Sequence, residues 1–192
     1  VPISPGNPEQ VAREIADLLE ARRIPYALGG ALAYNRYGAA RGTADVDFNV
    51  FLPPERAAEV LSMLKGEGLE IDVEAHAARA LDGRHAVGLV SGMHVDLFFN
   101  SIPLHEIAAT RVQTHPVLGR PMFVLSAEDL VLLKLLFFRG KDKLDIERLV
   151  QLRGEKLDRE YVRDQLVDMM GEDDERVRVW DRYCRELPGT PG

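Results

Sequence analysis

The chain has 192 residues, of which 46% are hydrophobic and 29% charged, and its formal net charge is −7. That length supports one well-packed core with a helical appendage, and the composition excludes a disordered or fibrous chain. The acidic balance argues against a general nucleic-acid coat but leaves room for a local basic pocket. The single cysteine, Cys184, excludes an internal disulfide and a cysteine-rich zinc site.

In chain order, a loose arm precedes an amphipathic helix from about Pro8 to Arg22, whose apolar stripe is Val11, Ile15, Leu18 and Leu19. Ile24 to Leu28 reads as a short strand running into Gly29-Gly30, and Ala31 to Tyr37 as a short helix. Ala44 to Leu52 reads as a strand in which Val46, Phe48, Val50 and Leu52 alternate with Asp45, Asp47 and Asn49. Pro53-Pro54 ends it, and Glu55 to Lys65 is the second clear helix.

Ile71 to Glu74 reads as another short strand, and Asp82-Gly83 as a turn. His85 to Val90 and Met93 to Phe99 read as a hairpin turning at Ser91-Gly92. A helix is expected over Ile102 to Thr110, then two extended pieces around Gly119, Val112 to Leu118 and Pro121 to Val124. Past Leu125 the pattern turns helical: Ser126 caps Ala127 to Phe138, and further helices are expected over 143–152, 158–170 and 173–186. The expected fold class is therefore α/β (α+β), a mixed sheet flanked by helices over residues 8–124, with a helical C-terminal region over 125–187.

The start of the chain lacks the basic residues and apolar run of a signal peptide. The longest apolar stretch, Leu130 to Phe138, is interrupted by Lys134 and is too short to span a bilayer. The expectation is a cytoplasmic protein with no membrane partner.

The chemistry is concentrated in three carboxylates. With a period of two, Asp45 and Asp47 leave the same sheet face while Val46 and Phe48 enter the core. Two like charges on one face repel unless a cation compensates, and oxygen ligands suit magnesium or manganese. An exposed aspartate pair at a strand end would give the same pattern. Asp96, within His94-Val95-Asp96-Leu97-Phe98-Phe99, adds a third acid on a strand that can lie beside the first. Three such acids suit phosphoryl or nucleotidyl transfer, with one oxygen left as general base. Gly29-Gly30, after a strand and before a helix, lets a backbone approach a phosphate, although a tight structural turn has the same signature.

Leu28-Gly29-Gly30-Ala31-Leu32-Ala33, Tyr37-Gly38, Arg41-Gly42-Thr43, Asp45-Val46-Asp47 and Val95-Asp96-Leu97 resemble the nucleotidyltransferase superfamily of the DNA polymerase beta type. They are closest to small bacterial members that include abortive-infection toxin-like proteins. The resemblance covers about residues 8 to 150. It implies that Asp45 and Asp47 hold the metal ions (Mg2+ or Mn2+) carrying a nucleoside triphosphate, and that Asp96 binds the catalytic metal and helps deprotonate the acceptor hydroxyl. Gly29 and Gly30 would pack against the triphosphate, with Arg41, Thr43 and Lys134 as nucleotide-binding support. The superfamily often carries serine after the first glycine; here that place is Gly30. The implied acceptor is a hydroxyl of RNA, protein or a small molecule. The alternative is a non-catalytic nucleotide-binding or toxin–antitoxin-type protein with a cognate antitoxin or other protein partner.

Overall fold

The computed structural model describes residues 3–38 and 42–187. The chain forms two compact units, Val1–Ala33 with Arg41–Leu125, and Tyr34–Ala40 with Ser126–Gly192.

The first unit is built on a mixed six-stranded sheet. Its elements are α1 (Pro8–Ala21), β1 (Tyr26–Leu28), α2 (Gly30–Asn35, shared with the second unit), β2 (Val46–Val50), α3 (Ala57–Gly66), α4 (Val73–Leu81), β3 (Ala86–Val90), β4 (Met93–Phe99), α5 (Pro103–Thr110), β5 (Gln113–Val117) and β6 (Arg120–Val124). The strand order is β3-β4-β2-β1-β6-β5. The β2–β4 and β1–β6 pairs are parallel and the other three antiparallel. Asn7 opens α1 by accepting the Gln10 N–H at 2.9 Å, with Pro8 at the first helical turn. The stripe of Val11, Ile15 and Leu19 is fully buried, as are Val46, Phe48 and Val50 from the opposing strand face. This common core fixes which face of β2 is left for Asp47.

Two hairpins are closed by two-residue turns with both central residues at positive φ: Ser91 at 49° with Gly92 at 82°, and Leu118 at 50° with Gly119 at 75°. This mirror-type turn matches the twist of the flanking strands and fixes their register. The strand expected over Ile71 to Glu74 is replaced by α4. Asp72 accepts the Ala75 N–H at 3.1 Å and so caps a helix there, leaving a single bridge between Glu70 and Leu89 as the extended remnant.

His105 on α5 is buried, and its Nδ1 accepts the Ser101 backbone N–H at 3.2 Å. Burial holds its pKa down at about 4, partly opposed by a hydrogen bond to the Phe99 backbone. The folded state therefore resists a proton that the unfolded chain takes up near the ordinary value of 6.5. The contribution is fully present above that value and is lost as pH falls through about 4. Urea midpoints measured between neutral pH and pH 4 should fall more steeply for the native chain than for His105→Gln; equal slopes would show that His105 is not held neutral.

The second unit comprises α6 (Ala127–Phe137), α7 (Gly140–Arg153), α8 (Arg159–Met170) and α9 (Glu175–Glu186), with the end of α2. Ser126 caps α6 through the Asp129 N–H at 3.1 Å. Trp180 is fully buried, and its indole N–H reaches the Arg159 carbonyl at 3.3 Å. No helix among the described residues is long and apolar enough to cross a membrane.

Candidate active site

The β2–β4 ladder sets the candidate site. In the parallel register Val46 faces Val95, Asp47 faces Asp96 and Phe48 faces Leu97. Val46, Phe48, Val95 and Leu97 are all fully buried, so Asp47 and Asp96 leave side by side on the opposite, partly exposed face. Asp45 lies one residue before the ladder and is exposed. Thr43 shapes this entry: its hydroxyl donates to the Asp45 carbonyl and accepts the Asp45 N–H, both at 3.1 Å. That hydroxyl therefore acts on the backbone carrying Asp45. Arg41 lies outside the described residues.

Among the described residues, no group of three or more histidine, cysteine, aspartate or glutamate side chains is gathered so that it could hold a metal ion. The acids thus form an in-register pair with a third carboxylate at the strand entry, rather than a closed protein cage. Two oxygen donors side by side fit magnesium or manganese, which is commonly held by one or two carboxylates together with substrate phosphates.

The glycines meet Asp47 of this pair directly. The Gly29 N–H donates to the Asp47 carbonyl at 2.8 Å, and the Ala33 N–H to the Gly29 carbonyl at 3.1 Å, so one peptide closes the ladder and the next opens α2. Gly30 has φ +53°, and a Cβ there would lie 1.8 Å from Asp47 Oδ2 and 2.9 Å from its Cβ. A Cβ on Gly29 would lie 2.8 Å from Nδ2 of Asn49, a buried residue on the same strand face. Glycine at both places lets the loop close over the acid strand, and the serine often found at the second place cannot be carried here without displacing Asp47. Gly30→Ser should lower stability by about 1–2 kcal/mol, the cost of a left-handed φ, and weaken magnesium-dependent triphosphate binding. Gly119→Ser is the control, because Gly119 has φ +75° with open space around its Cβ position. A loss in urea midpoint at least as large as that of Gly119→Ser, with binding reduced only in Gly30→Ser, is the expected result; equal binding in both variants would contradict it.

Lys134 belongs to the second unit and is buried. Its ammonium lies 2.6 Å from Asp145 Oδ2 and 3.8 Å from Asp142 Oδ1, and 5.5 Å from the centre of the Tyr34 ring. A phosphate would have to compete with both carboxylates for it.

The sequence reading did not single out Asn49 as a site residue, nor the ring pair His85–Phe98, whose centroids are 5.0 Å apart with planes at 27°. The signal for the second was present: a two-residue turn at Ser91-Gly92 places Val87 opposite Asp96 and His85 opposite Phe98 by counting alone.

No protein-family model matches the sequence, and no curated protein matches it. Solved structures do. ANT(2'')-Ia in complex with adenylyl-2''-tobramycin aligns over 91% of this chain and 98% of its own, with a TM-score of 0.57 and 15% identity. The chain has the nucleotidyltransferase fold. The lincosamide antibiotic adenylyltransferase LnuA, lincomycin-bound, aligns over 73% of this chain and 94% of its own at TM-score 0.51 and 17% identity. A candidate nucleotidyltransferase from Thermotoga maritima aligns over 73% and 91% at TM-score 0.50 and 14% identity. At these identities the likeness is one of fold, and the nucleotidyltransferase fold of this chain agrees with the mixed sheet expected from its sequence.

Proposed function

We propose that this chain transfers a nucleoside monophosphate from a nucleoside triphosphate to a hydroxyl group of an acceptor, using a magnesium or manganese ion held by Asp47 and Asp96. The observation that carries the reading is the in-register Asp47–Asp96 pair, whose Asp47 lies directly against Gly29-Gly30. Asp45, at the entry of the same strand, is assigned to the triphosphate side with Asp47. Asp96 comes from the other strand and is assigned to the acceptor. When bound, the metal ion would neutralise phosphate oxygens and lower the pKa of the acceptor hydroxyl.

The chain's own residues then divide the work. Gly29 and Gly30 bring backbone close to the phosphates, because no side chain stands between them and the acid strand. Arg41 is assigned a phosphate contact, and Thr43 orients Asp45. Asp96 takes the proton of the acceptor hydroxyl as its oxygen bonds to the α-phosphorus, the bond to the β-phosphate oxygen breaks, and pyrophosphate leaves. Holding the hydroxyl and the α-phosphorus together in one frame removes much of the entropic barrier.

The comparisons favour a small-molecule acceptor over RNA or protein, since ANT(2'')-Ia is described with an adenylylated tobramycin and LnuA with lincomycin. The test incubates the protein with α-labelled triphosphates, magnesium or manganese, and separate sets of small hydroxyl compounds, RNA and protein. Label on a small compound supports the proposal. Label confined to RNA or protein would reassign the acceptor, and triphosphate binding without transfer to any set would favour a nucleotide-binding module.

A further inference from the structure

The face of the sheet that carries Asp96 continues away from Asp47 onto β3, which is the sheet edge. In the antiparallel register Val87 faces Asp96 and Leu89 faces His94. His85, just before β3, stacks on Phe98, two residues beyond Asp96 on the same strand face. The inward partners Ala86, Gly88, Val95 and Leu97 are buried, whereas His85, Val87, Leu89 and Phe98 are each partly exposed. A strip of two aliphatic side chains and the His85–Phe98 ring pair, with the exposed His94 at its far end, thus borders the carboxylate assigned to the acceptor. The other neighbour of Asp96 in the sheet is Asp47, on the side assigned to the triphosphate.

Resting on the nucleotidyl-transfer reading above, we propose that this strip seats the acceptor. The acceptor is then a small compound with a flat or apolar ring close to its reactive hydroxyl. Size decides against a macromolecule. From His85 to Leu89 is four residue steps, about 13 Å of strand, and the strip is two strands or about 5 Å across. That matches one or two rings and is far below the roughly 800 Å² per partner of a stable protein interface. Position decides the occupant: a ring lying over Val87 and Phe98 brings a substituent hydroxyl beside Asp96, while a ring on the opposite side would meet Asp47 and the phosphates. The His85–Phe98 stack supplies a ready-made aromatic platform whose rings already hold each other in place, so little side-chain freedom is lost on binding.

The test uses the full chain and two probes that differ by one ring, phenyl β-D-glucoside and glucose. Phenyl β-D-glucoside should shift the imidazole C–H resonances of His85, assigned by their loss in His85→Gln, and glucose should not. Phe98→Leu, which keeps an apolar side chain in the strand, should weaken phenyl β-D-glucoside binding about tenfold, the scale of a lost aromatic contact. Triphosphate with magnesium, titrated separately by calorimetry, should bind the native chain and Phe98→Leu alike. Unmoved His85 resonances, an equal response to both probes, or unchanged affinity in Phe98→Leu would overturn the proposal. Label transfer separates it from the reading on which it rests. Phenyl β-D-glucoside seated at His85 with no transfer to any compound supports the strip and counts against the reaction. Transfer to an open-chain polyol as fast as to ring compounds supports the reaction and removes the strip.

Discussion

Asp96→Asn should reduce label transfer by at least about a hundredfold, on the scale of a lost transition-state contact, while leaving most triphosphate affinity intact, because Asp47, the phosphates and the asparagine oxygen would still hold the ion. Asp47 lies on the strand that Gly29 and Gly30 close over, with Asp45 at its entry, whereas Asp96 comes from β4, with β3 on its other side. A group on the acceptor side contributes when the hydroxyl becomes a nucleophile, so its loss should appear in kcat more than in triphosphate binding. Asparagine keeps the size and hydrogen-bonding reach of the side chain and removes its capacity to take a proton. Calorimetry with magnesium and triphosphate gives the binding term, and single-turnover transfer gives the chemical one. Transfer unchanged in Asp96→Asn would end the role assigned to it. A parallel loss of triphosphate binding would place Asp96 on the nucleotide side instead.

Lys134→Met should destabilise the protein by about 3–5 kcal/mol, the cost of removing one member of a buried ion pair. The three groups involved are well enclosed: the side chains of Lys134, Asp142 and Asp145 are 9%, 2% and 11% exposed. Asp142 keeps the Arg139 Nε at 2.6 Å and the Arg139 backbone N–H, but Asp145 loses the ammonium 2.6 Å away. Replacing both members by Lys134→Met with Asp145→Leu should recover much of the loss, because no buried carboxylate is then left short of its cation. Urea unfolding measures both variants. A loss below about 1 kcal/mol in the single variant would mean that the pair behaves as an exposed one. The double variant also bears on the phosphate contact expected for Lys134. If its ammonium serves only Asp145 and Asp142, triphosphate binding to the folded double variant should match that of the native chain.

These two variants mark what could and could not be read from sequence. Asp45, Asp47 and Asp96 were visible because strand periodicity is local: apolar residues on either side of each acid fix its face without knowledge of the partner strand. That Asp47 and Asp96 stand in register was not visible, since β2 and β4 are separated by two helices and a hairpin strand and their pairing is set by the whole sheet. The contact between Gly30 and the Asp47 carboxyl was hidden for the same reason: the sequence shows a glycine pair but not what approaches it. Lys134 stood out as a charge on an apolar helix, yet its partner lies eleven residues on, in the next helix, and helical spacing within α6 cannot reveal it. At Ile71 to Glu74 the apolar residues suggested a strand, and the capping strength of Asp72 prevailed.

In the proposed reaction Asp47 and Asp96 together hold a divalent ion against a triphosphate lying beside Gly29-Gly30. The most direct measurement is a crystal structure of the native chain with manganese and a non-hydrolysable nucleoside triphosphate, with the metal located by its anomalous signal. An anomalous peak is expected within bonding distance of both carboxylates, on the order of 2.0–2.2 Å as for small oxygen-bound divalent ions, with phosphates against the two glycines. A manganese peak bound away from Asp47 and Asp96, or a triphosphate seated elsewhere on the chain, would contradict it.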